Sequence, residues 1–153
     1  MPSSEFSPYQ VMLERAETPH FRALVANLIA TSVSLNEAEK ELPQRILEGR
    51  SRREGKPVKL TKGQTTFLTE ADNDAVLAQT DLERSYRKMS NEREMIECAL
   101  ASEKFHFETW AWIYDSVHAN EKPFAERIRN LQKKLIEDME TFLKDPGPSK
   151  PSR

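Results

Sequence analysis

Two Glu-x-x-His pairs, Glu17/His20 and Glu103/His106, have residue types and spacing that could do chemistry. On bundle helices this spacing forms part of a di-iron carboxylate site, which also needs inward-facing glutamates from other helices. No clear pair of further glutamates accompanies them, and Pro19 interrupts the first pair, so no metal site is expected. Cys98 is the lone cysteine. It has no neighbouring His/Asp arrangement and reads as a small buried side chain rather than a nucleophile. One cysteine cannot form an intrachain disulfide. There is no glycine-rich phosphate loop, Cys-x-x-Cys pair or serine-based signature. The expectation is a protein with no catalytic residues, no metal and no cofactor, and hence not an enzyme.

The second chemistry is phosphate binding. From Arg45 to Lys62 there are seven Lys/Arg and two Glu, a local excess of +5, although the whole chain carries −2. Phosphate backbones are held by several cations presented together. The candidates are Arg50, Arg52, Arg53, Lys56, Lys59 and Lys62, in a stretch from Gly49 to Thr66 that reads as a basic loop. No aromatic residue lies inside the Gly49–Lys62 stretch to stack on a base. The aromatic residues cluster elsewhere, as Phe105, Phe107, Trp110, Trp112 and Tyr114. They are read first as core and second as a stacking or partner-binding face.

These residues must be positioned by helices. The chain is 153 residues, 37% apolar and 31% charged, with four glycines. That balance favours helices with one buried stripe over a large globular core with a deep pocket. Between Ala75 and Val117 a seven-residue repeat runs through Leu82, Met89, Ile96, Glu103 and Trp110. A second series, Gln79, Tyr86, Arg93, Leu100, Phe107 and Tyr114, alternates with it at steps of four and three. Such spacing buries a narrow seam against a partner helix. The repeat predicts one unbroken helix over about 70–117, roughly 70 Å long. Leu82, Tyr86, Met89, Ile96, Leu100, Phe107 and Trp110 are the candidate oligomer seam. Arg93 and Glu103 interrupt it and would either reach the surface or fix register.

Other helices are expected at about 8–17, 19–48 and 123–144. Ser7-Pro8 and Thr18-Pro19 are N-cap and first-turn proline signals. Phe21, Leu28, Leu35 and Leu42 keep heptad spacing up to Pro43, which would kink or end that helix, with Gly49 as a later stop. Thr69-Glu70-Ala71-Asp72 resembles a capping box that opens the long helix. His118 to Lys122 reads as a turn. Phe124, Ile128, Leu131, Leu135, Met139 and Phe142 form the stripe of the last helix. Residues 1–6 and 146–153 are expected to be disordered. No run approaches 18 apolar residues, so neither a membrane span nor a signal peptide is expected.

The order of elements resembles that of the UvsY-like recombination mediators of tailed bacteriophages. The residues that carry the likeness are Leu35-Asn36-Glu37-Ala38-Glu39-Lys40-Glu41-Leu42, the basic stretch Gly49 to Lys62, and Leu68-Thr69-Glu70-Ala71-Asp72. The likeness covers about residues 21–117. It implies single-stranded DNA binding, oligomer formation and loading of a recombinase. The chain departs from that family in its acidic balance and in the extra helix from Phe124 to Leu143.

The fold expected is all-α, an elongated antiparallel helical hairpin or coiled coil with a long central helix and a C-terminal helix. The function expected is self-association and binding of another helical protein in the cytoplasm, away from membranes. The alternative is a single-stranded nucleic-acid-binding mediator that uses the basic loop.

Overall fold

The computed structural model describes residues 7–59 and 62–145, apart from the side chains at 7, 64, 65, 67–76, 109, 110, 112 and 113. The chain is all-α. Five helices are described: α1 Ser7–Glu14, α2 Pro19–Glu54, α3 Lys62–Lys88, α4 Glu92–Ser116 and α5 Lys122–Lys144, with a 3-10 turn at Ala119–Glu121. No strand occurs among the described residues. No described helix is long and apolar enough to cross a membrane.

The last helix is the centre of the bundle. α5 packs against both α2 and α4. It runs antiparallel to each, because its C-terminal Phe142 meets Phe21 near the start of α2, and Leu143 accepts a hydrogen bond from Arg93 near the start of α4. The stripe Ala125, Ile128, Leu135, Met139 and Phe142 is buried, as its helical spacing predicts. On α2 the facing stripe is Phe21, Val25, Leu28, Leu35, Ala38 and Leu42. α1 closes one end, where Tyr9, Val11 and Met12 are buried and the helix rests on α2 and α3.

Several starts follow the sequence signals. Thr18 caps α2 by accepting from the Phe21 amide at 3.2 Å, with Pro19 in the first turn. The His118–Lys122 turn is a 3-10 turn in which His118 Nδ1 accepts from the Asn120 amide.

Three expectations are corrected. First, the central helix is not continuous, because α3 ends at Lys88 and α4 begins at Glu92. Asn91 caps α4 by accepting from the Glu94 amide at 2.8 Å, while the Glu94 carboxylate accepts from the Ser90 amide at 3.3 Å. On the other side of the break, the Arg15 guanidinium donates to the free carbonyls of Arg87 and Met89. Both orphaned helix ends are thus satisfied, which makes the break stable. Second, α2 runs through Pro43 and also past the stop expected at Gly49, to end at Glu54. The lost hydrogen bond is outweighed by packing on both sides of it, at Leu42 and Ile46. Third, α3 starts at Lys62, ahead of the expected start near residue 70. The Thr69–Asp72 capping box has its side chains outside the described residues, as do the expected disordered ends.

Candidate functional site

The basic stretch is for the most part not a loop. Gly49 to Glu54 completes α2, and only the segment from Gly55 to the start of α3 connects. Gly55 ends the helix in the left-handed region at φ 70°, a conformation that suits glycine. Arg52 and Arg53 lie in the last turn, where cations favour the negative end of the helix dipole. Val58 donates its amide to the Ser51 hydroxyl at 3.0 Å, folding the connector back on the helix end.

The six candidate cations divide into two groups. Arg53 is part of the fold: its guanidinium lies 3.1 Å from Glu121, a carboxylate only 2% exposed. Arg50 pairs with Glu54 at 3.6 Å along the same helix. Just before them, Arg45 pairs with Glu41 and Glu48, each at 3.4 Å. By contrast, Arg52, Lys56, Lys59 and Lys62 are exposed and have no ion pair among the described residues. The free positive charge therefore sits at the tip joining α2 to α3.

The heptad seam is partly satisfied within the chain. Tyr86 and Ile96 are fully buried. Leu82, Met89 and Leu100 are half-buried against the same core. Phe107 is half-buried beside Arg129 of α5, and the Trp110 side chain lies outside the described residues. Of the polar interruptions, Arg93 is exposed and Glu103 turns inward. Glu103 accepts from the Tyr9 hydroxyl at 2.5 Å and from Gln132 Nε2 at 3.2 Å, tying α1, α4 and α5 in one register. Burial, and then the Glu103 carboxylate, push the Tyr9 phenol well above its ordinary pKa. Burial does the same to Tyr86.

The two Glu-x-x-His histidines and Cys98 sit in separate surroundings. His20 stacks on Phe142 with ring centroids 5.6 Å apart. His106 is exposed, while its partner Glu103 is held by Tyr9 and Gln132. No cluster of three metal-ligating side chains occurs among the described residues. Cys98 is half-buried, and burial raises its thiol pKa, which lowers its reactivity.

Sequence reasoning missed the cationic residues that act on aromatic faces. Arg129 lies over Tyr114 at 5.1 Å and over Phe107 at 6.0 Å, and Lys122 lies over Tyr114 at 4.7 Å. The signal available was a matching step of seven: Phe107 and Tyr114 on α4, Lys122 and Arg129 on α5. The chain matches no protein-family model, curated protein or solved structure.

Proposed function

We propose that this chain is a non-enzymatic helical protein that acts by self-association and partner binding, as an assembly or accessory factor. The observation that carries this reading is the mismatch between α3 and its cover. α3 has 27 residues and α1, its main packing neighbour among the described residues, has eight. By helical rise these are about 40 Å and about 12 Å. On the same helix Leu77 is 63% exposed. A helix face of this length gains stability by burial against another helix, and a second copy of the chain supplies one. Sedimentation equilibrium at micromolar concentration tests it. The expected result is a mass above 17.7 kDa, reduced by Leu77→Glu with helicity retained. A monomer mass for the wild type would overturn the reading.

A second reading is favoured by the exposed, unpaired Arg52, Lys56, Lys59 and Lys62. Four cations at one tip suit the backbone of a single-stranded nucleic acid. A gel-shift titration at ~50 mM salt, where phosphate contacts are strongest, tests this reading. Absence of any shift would leave self-association alone.

A further inference from the structure

The ion pair between Arg53 and Glu121 does more than close the bundle. It fastens the basic end of α2 to the residue that precedes α5. The next residue is Lys122, whose ammonium lies over Tyr114, and one heptad later Arg129 lies over Tyr114 and Phe107. Aromatic rings that the basic stretch lacks are thus supplied by α4. Arg129 is exposed, Tyr114 and Phe107 are half-buried, and neither Lys122 nor Arg129 has an ion pair among the described residues. The exposed carboxylate Glu126 lies between the two cations on α5, four residues after Lys122 and three before Arg129, and the exposed Glu108 and Asp115 adjoin Phe107 and Tyr114 in sequence.

We infer that Arg129, held on the rings of Tyr114 and Phe107, is a stacking platform for a base of a single-stranded nucleic acid whose phosphates run to Lys122 and the basic end of α2. This inference rests on the nucleic-acid reading above. The guanidinium is planar and weakly hydrated, and on an exposed residue lying over aromatic rings such a plane suits stacking against a base. Lys122 serves as a point charge for phosphate. A strand that binds by stacking and backbone contacts alone is read without sequence preference. An acidic peptide would satisfy the cations but would leave the platform unused.

The test is fluorescence anisotropy of a labelled oligothymidylate with the full chain, comparing wild type with Arg129→Lys. The variant keeps the charge and removes the plane, and Arg129 is exposed, so folding is retained. The expected loss of affinity is at least ~5-fold, the lower end of one stacking contact, with the salt slope unchanged. Equal affinity of wild type and Arg129→Lys would overturn the platform while leaving phosphate binding at the α2 tip in place. No binding by the wild type would overturn the nucleic-acid reading itself, and the platform with it. Polyglutamate binding as tightly as oligothymidylate would also overturn the platform, because it requires charge alone.

Discussion

Gly49 of α2 rests directly on the Glu121 carboxylate. A methyl group at Gly49 would lie 2.5 Å from Glu121 Oε2 and 2.8 Å from its carboxyl carbon. The close approach lets a buried carboxylate reach Arg53 one turn further along α2. Any side chain at this position would push the Glu121 carboxylate aside and disturb its pairing with Arg53, which accounts for a glycine within a helix where it is otherwise unfavourable.

Gly49→Ala should destabilise the protein. Overpacking costs ~1–3 kcal/mol, against a helix-propensity gain of ~1 kcal/mol. Gly63, with nothing within 4 Å of its would-be side chain among the described residues, is the control. Urea melts should show a lower midpoint for Gly49→Ala and an equal or higher one for Gly63→Ala.

Arg53→Ser should destabilise, whereas Arg52→Ser and Lys56→Ser should not. Removing Arg53 leaves Glu121 buried without its cation, and unpaired buried charges are costly. Arg53 is itself partly exposed, so the loss is expected at ~1–3 kcal/mol, below that of a fully buried pair. Thermal melts monitored by circular dichroism separate the three variants. A set of changes that includes Arg53 is consequently a poor probe of binding, because it also weakens the fold.

Alkaline pH should unfold the protein before Tyr9 and Tyr86 ionise. Both phenols are raised above the ordinary value near 10 by burial, with Glu103 adding to the effect. The folded state therefore holds these protons more tightly than the unfolded chain does. Their contribution is fully present below pH ~10 and is lost as pH rises beyond it. Urea midpoints measured between pH 8 and pH 11 should fall. Tyr9→Phe should flatten the fall, even though it lowers stability at pH 8 by ~1–3 kcal/mol through loss of the hydrogen bond to Glu103.

Asn91→Ala should cost ~1 kcal/mol through loss of the α4 cap. Asn91→Ser should restore most of it. Denaturant melts of the two variants check this.

The helix class, the Thr18-Pro19 start, the turn after Val117 and the α5 stripe were all legible in the sequence, because each depends on neighbours within a few residues. The break at Met89–Asn91 was also written locally, as Asn91-x-x-Glu94. The seven-residue pattern carried through it, since Met89 and Ile96 keep their spacing whether or not the backbone turns between them. Gln132 sits four residues after Ile128 on the buried stripe, and a stripe read from apolar residues alone passed over it. The partners of the buried polar groups were not legible. Arg53 and Glu121 are 68 positions apart, and Tyr9 and Glu103 are 94 apart. No periodicity in a single chain encodes such pairings. The basic stretch was misread because Gly49 suggests a helix stop until its neighbour across the bundle is known.

The central place of α5 has a consequence for how the molecule comes into being. The buried faces of α2 and α4 both meet α5, which is synthesised after both of them. α4 and α5 adjoin in sequence and can pair early, since local contacts form fastest. α2 must wait, its stripe from Phe21 to Leu42 without its α5 cover, until α5 has left the ribosome. During that interval the nascent chain presents an apolar helix to whatever is nearby, including the same helix on a neighbouring copy.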